Sequence, residues 1–308
     1  MKKVRLGNTS LQVPAVVAGC MRLSQLGRDG MNAFIHTVME SGVNFFDHAD
    51  IYAYGGVSSE ALFGEAMQGD SSLRREDMIL QSKCGIRKGY YDLSRDYILE
   101  SVDGILKRLR TEYLDILLLH RPDALVEPEE VAEAFDRLRQ SGKVRYFGVS
   151  NHKPAQIELL RKYVGDSLTV NQMQLSLPVS NMIANGIEVN MDSPGAADRD
   201  GSVLDYCRLH EITLQAWSPF QMPGWKGCFL GNNEYEPLNK AIETLAAEYG
   251  VSDTAIAAAW ILRHPAGIQL VSGTSGQERF KEIAAAGDIC LKREEWYRLY
   301  LAAGHILP

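Results

Sequence analysis

This 308-residue chain has no CxxC pair, no long apolar run, no excess of basic charge and no glycine-rich dinucleotide fingerprint. Its five cysteines (Cys20, Cys84, Cys207, Cys228 and Cys290) are odd in number and irregularly spaced. That argues against a disulfide framework or a zinc site and points to a reducing cytoplasm. No segment approaches the roughly 18 apolar residues that a membrane span needs. The opening MKKVRLGNTSLQVP is basic but lacks the apolar core of a signal peptide. A net charge of -7 makes nucleic acid an unsuitable partner, because phosphate binding needs a basic surface, although one local basic pocket is still allowed. None of the seven histidines sits with another in ligand spacing on one element, so no metal site is expected. No GxGxxG follows an early apolar run, which removes the usual Rossmann signal.

What is present is alternation. With 45% hydrophobic and 23% charged residues the chain can bury a core without covalent staples. Short apolar runs read as strands at Val16–Ala18, Val43–Asp47, Met78–Lys83, Leu114–His120, Tyr146–Ser150, Leu168–Met173, Ile212–Ser218 and Ile268–Ser272. Runs such as ILLLH are apolar on successive residues, as parallel strands buried on both faces require. Amphipathic helical segments lie between them, among them Arg95–Leu109, Pro128–Gln140 and Asp253–Leu262. Eight strand–helix units are the count of a (β/α)8 TIM barrel, although an open doubly wound sheet satisfies the same count. Gly7-Asn8 between two short apolar stretches predicts an N-terminal β-hairpin capping one end. No composition shift divides the chain, so 1–308 reads as one barrel domain. Two connections, 176–201 and 220–236, are long enough to be lids or binding loops.

A barrel of this kind works at the C-terminal ends of its strands. There the sequence places Asp47, Lys83 and His120 at the ends of three successive strands, with Tyr52 five residues beyond Asp47. Taken singly, each has a plain alternative: Asp47 and Lys83 as a structural ion pair, Tyr52 as one of several loop aromatics. Together, an acid, an amine and an imidazole converging on one mouth are more informative.

Seven blocks, in order along nearly the whole chain, carry a family resemblance: FFDHADIY (45–52), LQSKCG (80–85), LLLHRPD (117–123), GVSN (148–151), NQMQ (171–174), AWSPF (216–220) and GTSGQER (273–279). The chain resembles the aldo-keto reductases, and the HRPD block and the 220–236 loop look most like uncharacterised bacterial members. The resemblance implies carbonyl reduction with NADPH, with NADH as a second candidate. Tyr52 is then the general acid, Lys83 its activator, Asp47 the carboxylate that keeps Lys83 charged, and His120 the group that orients the substrate oxygen. A nearby ammonium is expected to favour the phenolate and so ease proton donation. His48 departs from the Thr or Ser usual in the family and reads as a packing residue. The remaining histidines, including His152 and His305, read as ordinary polar residues in helices or at their edges.

The same resemblance implies a cofactor frame. Ser150, Asn151 and Gln172 would hold the nicotinamide carboxamide, Trp217 would stack on its ring, and Ser218, Pro219 and Phe220 would continue that wall. Met21, Arg22 and Asp47 would approach from the other side. Gly273, Thr274, Ser275 and Gln277 would meet phosphate near a helix start, where free backbone N–H groups face an anion. Arg279 would stack on adenine and pair with the 2′-phosphate, and Glu282 would contact the adenine region. Gly273 and Ile283 replace a basic residue and an Asn found in some members, so the preference for NADPH is expected to be weaker.

For the substrate, a small-molecule carbonyl compound, the expected lining is Tyr52, His120, Trp225 and the two long loops. A short tail after Trp296 predicts an open pocket and breadth toward small or aromatic aldehydes and ketones. Two rivals stand beside this reading. One is a Lys83 Schiff-base lyase on the same barrel, which needs an uncharged lysine. The other is an NADPH-binding accessory subunit with little turnover, which an intact tetrad allows but the lack of an extended N-terminal segment disfavours. The oligomeric state is left open.

Overall fold

The computed structural model describes residues 1–307. Eight parallel strands close into a barrel: β1 (Val16–Gly19), β2 (Phe45–Asp47), β3 (Ile79–Cys84), β4 (Leu114–Leu119), β5 (Val144–Ser150), β6 (Leu168–Gln174), β7 (Thr213–Trp217) and β8 (Gln269–Ser272). Each pairs with its neighbour in sequence, and β8 pairs with β1, so the sheet has no free edge. That closure excludes the open doubly wound alternative. The strand β4, LDILLL, is buried at every position, because its inner face meets the barrel interior and its outer face meets helices.

The helix Arg95–Leu109 shows how the outer ring is specified. Ser94 accepts a hydrogen bond from the Tyr97 backbone N–H, capping the first turn. Asp96 lies near the positive end of the helix dipole, and Lys107 and Arg108 near the negative end. Ile98, Val102, Ile105 and Leu109, spaced by three or four residues, form the buried stripe. Each such side chain contributes about 1.5–3 kcal/mol when fully buried, so Ile105→Ala would be felt strongly. The helix ends where Arg110 adopts a left-handed conformation (φ 53°).

The helix Asp253–Leu262 departs from expectation. It is not amphipathic: every residue from Thr254 to Leu262 is buried. It lies inside the ring, beside Glu236–Tyr249, Gln277–Ala285 and β8, and so needs no polar face. Other departures are smaller. The 176–201 connection contains a helix, Asn181–Ile187, and two short hairpins follow β2 (Ala53–Tyr54 with Val57–Ser58) and β3 (Ile86–Arg87 with Tyr90–Tyr91). Two-residue strands leave almost no period-2 signal, which is why the sequence does not announce them.

The N-terminal hairpin, Lys3–Arg5 with Gln12–Pro14, closes the bottom of the barrel. Its turn sits against β6 and β7: the Gly7 N–H donates to Thr213 Oγ1 at 2.6 Å, and Thr213 Oγ1 donates to the Arg5 carbonyl at 3.0 Å. Gly7 is required there, since its φ is +53° and a Cβ would stand 2.6 Å from the Thr169 carbonyl oxygen. No helix among the described residues is long and apolar enough to cross a membrane.

Candidate active site

The strand register brings the candidate residues together. Asp47 on β2 lies opposite Gln81 on β3, and Lys83 on β3 lies opposite Leu118 on β4. Beyond β2 the chain is pinned to the neighbouring strand, with His48 N–H donating to the Gln81 carbonyl and Asp50 N–H to the Lys83 carbonyl. A turn closed by Tyr52 N–H to the Ala49 carbonyl then directs Tyr52 back over the barrel mouth.

Lys83 is fully buried, and its ammonium reaches both carboxylate oxygens of Asp47 at 2.7 Å, the His48 carbonyl at 2.8 Å and Tyr52 Oη at 3.3 Å. Burial favours the neutral amine, but the Asp47 charge and the hydrogen bonds to Asp47 and Tyr52 outweigh it and raise the Lys83 pKa. At Tyr52 the expected pull of the ammonium is opposed by burial. Burial, the largest effect, pushes its hydroxyl up, while the Lys83 charge and hydrogen bond pull it down. With Lys83 donating to its oxygen, the Tyr52 O–H is free to point into the cavity.

His120 follows β4, with its ring 6.1 Å from that of Tyr52 and nearly perpendicular to it. Burial, and then the charges of Lys83 and Arg121, depress its pKa to about 2, so the imidazole is neutral. Its Nδ1 is buried without a partner. His48 is fully buried too, its ring edge-on to Phe63 at 4.7 Å, and burial followed by the Lys83 charge depresses its pKa to about 3. It packs behind the site, as expected. His152 is not an ordinary edge residue: it is buried beside β5, with Nδ1 2.9 Å from the Ser150 carbonyl oxygen, and burial lowers its pKa to about 4.

These groups border a cavity of about 660 Å³ at the C-terminal ends of the strands. Asp47, Tyr52 and His120 line it, whereas Lys83 sits behind them with no exposed surface. Ser150, Asn151 and Gln172 form one wall through a relay in which Asn151 Nδ2 donates to Ser150 Oγ (2.8 Å) and Ser150 Oγ to the Gln172 carbonyl (2.9 Å). Trp217 Nε1 donates to Asn151 Oδ1 at 3.1 Å, which fixes the indole plane. Ser218, Pro219 and Phe220 continue from it. Asn151 and Ser218 hold positive φ values of 61° and 52°, strained conformations that aim these strand ends into the cavity.

On the far side the lining comprises Met21 and Arg22, then Gly273, Thr274, Ser275 and Arg279 around the start of the helix Gln277–Ala285. Two residues of the expected cofactor set lie outside the wall. Gln277 accepts a hydrogen bond from Thr37 Oγ1 at its amide oxygen, and Glu282 accepts one from Ser252 Oγ at one carboxylate oxygen, so each is tied to a neighbouring element.

The two long loops also divide. The 220–236 loop folds back on itself through a Gln221–Cys228 bridge and lines the cavity with Gln221, Trp225 and Cys228. Trp225 stacks on Trp217 with centroids 5.4 Å apart. The 176–201 loop lines none of it, contrary to expectation. It acts as a brace: Ser176 Oγ donates to the Gln221 carbonyl, and Ser180 and Leu177 meet His305 from the C-terminal tail. Arg121, which directly follows His120 in the HRPD block, also lines the cavity, and no local pattern distinguishes it from a surface arginine.

The profile described as "Aldo/keto reductase family" matches residues 15–300. The chain belongs to the aldo/keto reductase family. It is therefore an NAD(P)H-dependent oxidoreductase. Among curated relatives, it is 35% identical over 323 aligned positions to the uncharacterized oxidoreductase YcsN of Bacillus subtilis, covering 100% of both chains. It is 34% identical to a 6-dehydroglucose reductase of Novosphingobium aromaticivorans, covering 99% of this chain and 96% of the other. An aldo-keto reductase from Klebsiella pneumoniae, solved in complex with NADPH, superposes with a TM-score of 0.77 at 25% identity, covering 97% of this chain and 93% of that one.

Proposed function

We propose that this aldo-keto reductase reduces aldehyde or ketone carbonyls to alcohols with NADPH, and that Tyr52 delivers the proton. The observation carrying this reading is the position of Tyr52 Oη, 3.3 Å from a buried Lys83 ammonium that Asp47 holds at 2.7 Å, beside a neutral His120 on one cavity. Lys83 has three protons to give and spends them on Asp47, the His48 carbonyl and the Tyr52 oxygen. The Tyr52 proton then faces the substrate oxygen. As negative charge develops on that oxygen, proton transfer from Tyr52 leaves a phenolate that the Lys83 ammonium stabilises. His120, neutral, orients the same oxygen by a hydrogen bond.

The residues fit a dinucleotide. Arg22 and Arg279 line the cavity without an acidic partner among the described residues, on a protein whose net charge is -7. Ser150, Asn151 and Gln172 would hold the carboxamide, Trp217 the ring, and Arg279 the 2′-phosphate. When bound, NADPH supplies the hydride. The K. pneumoniae relative bound to NADPH supports this choice. The Lys83 Schiff-base alternative is disfavoured because the lysine is held charged rather than neutral. We place the whole chain in one working barrel, and five unpaired cysteines support a cytoplasmic setting.

The test is NADPH oxidation against a panel of short, aromatic and sugar aldehydes, the last suggested by the relatives named 6-dehydroglucose reductase. Tyr52→Phe is run beside it. Turnover should fall about 10²-fold or more with cofactor binding retained. Undiminished turnover in that variant would overturn the mechanism.

A further inference from the structure

Three arginines line the cavity, and they divide by position. Arg279 follows β8 and Arg22 follows β1, which pair with each other, so these two share one rim. Arg121 follows β4. In the closed order, β4 and β8 are separated by three strands in either direction, which puts Arg121 diametrically across the mouth from Arg279. The rim that would hold the dinucleotide phosphates is therefore out of its reach.

Arg121 forms no hydrogen bond or ion pair with any described residue. The nearby acid Asp123 is turned away, its carboxylate accepting the backbone N–H groups of Leu93 and Leu125. The only acid lining the cavity is Asp47, and it is bound to Lys83. Arg121 is half-buried, and its field opposes protonation of both His120 and His152. An unpaired guanidinium facing the cavity is free to receive an anionic ligand.

Resting on the reduction reading above, we infer that Arg121 is a specificity residue that receives a carboxylate on the substrate, so that the preferred substrates are carbonyl compounds carrying a carboxylate group. Its position next to His120 in the chain puts this group on the same side of the cavity as the reacting oxygen. A single planar fork of N–H donors matches one carboxylate with two parallel hydrogen bonds. A dianionic phosphate would call for more than the one free cation this rim supplies.

The experiment compares kcat/KM for 4-carboxybenzaldehyde and its methyl ester, with the 2- and 3-carboxy isomers to report the span between carbonyl and carboxylate. The native enzyme should favour at least one of the acids over its ester by about tenfold or more. Arg121→Gln should bring that ratio close to one, acting mainly through KM, and Arg121→Lys should keep part of it. Equal use of acid and ester by the native enzyme, or an unchanged ratio in Arg121→Gln, would refute the assignment. If no aldehyde supports NADPH oxidation, the reduction reading has failed, and the anion site is judged by calorimetry of benzoate against benzamide in the presence of NADP⁺. Tighter benzoate binding that disappears in Arg121→Gln upholds the site, and equal binding of the two overturns it.

Discussion

Gln81 donates its side-chain amide to Asp47 Oδ1 at 2.6 Å, tying the carboxylate that holds Lys83 to a chain of amides inside the barrel. Gln81 and Gln215 exchange hydrogen bonds (2.9 and 3.2 Å), Gln172 and Gln269 join Gln215 at 3.0 Å, and Gln269 Nε2 ends on the Pro14 carbonyl of the bottom hairpin. Barrel interiors are usually filled by branched apolar side chains. Here four buried amides, all partnered, run from the cavity wall to the floor.

Gln81→Leu should therefore lower stability by about 1–3 kcal/mol, because it leaves one buried Gln215 amide N–H without an acceptor and takes a donor from Asp47, although Gln172 and Gln269 still hold Gln215. It should also lower kcat about tenfold by loosening Asp47. Urea midpoints and steady-state kinetics measure the two effects, and a variant with native stability would show the amide chain to be dispensable.

Asp47 and Lys83 should be unequal in single and double substitution. Asp47→Asn leaves a buried ammonium without its counter-charge and should cost about 3–5 kcal/mol. Adding Lys83→Met removes the orphaned charge and should recover most of that loss while activity stays absent. Chemical denaturation of both variants checks this; no recovery in the double variant would contradict it.

The buried histidines predict an acid limb in stability. His48 has a native pKa of about 3 against about 6.5 in an unfolded chain. Between those values the unfolded state binds a proton that the native state refuses, so stability falls as pH drops from about 6.5 toward 3. Each such group contributes a slope of up to about 1.4 kcal/mol per pH unit. His48→Met should flatten the limb by about that amount in urea midpoints collected from pH 7 to pH 4.

Arg279→Ala tests the cofactor rim. If the guanidinium meets the 2′-phosphate, KM for NADPH should rise about tenfold while KM for NADH changes little. A constant ratio of the two constants would remove Arg279 from that role.

Much of the architecture is legible in the sequence because its signals are local. Strand ends fall within two residues of their apolar runs, Arg95–Leu109 and Pro128–Gln140 match their periodic segments, and Asp253–Leu262 has the expected bounds without the expected polar face. The convergence of Asp47, Lys83 and His120 follows from their places after successive apolar runs. The two-residue hairpins and the helix Asn181–Ile187 escape notice because they are too short to show a period.

Other properties depend on groups distant in the chain. Whether the sheet closes is decided by the pairing of β8 with β1. Glu282 is held by Ser252, Gln277 by Thr37, and the 176–201 loop by His305, partners that no local pattern names. The Tyr52 hydroxyl is pushed up because burial exceeds the pull of Lys83, a balance set by the surrounding packing. The sequence by itself determined which chemical groups stand at the strand ends, since periodicity and residue type are local. Only the tertiary structure decided which are paired, which are desolvated and which, like Arg121, face the cavity with their charge uncommitted, because those properties depend on every element that packs around them.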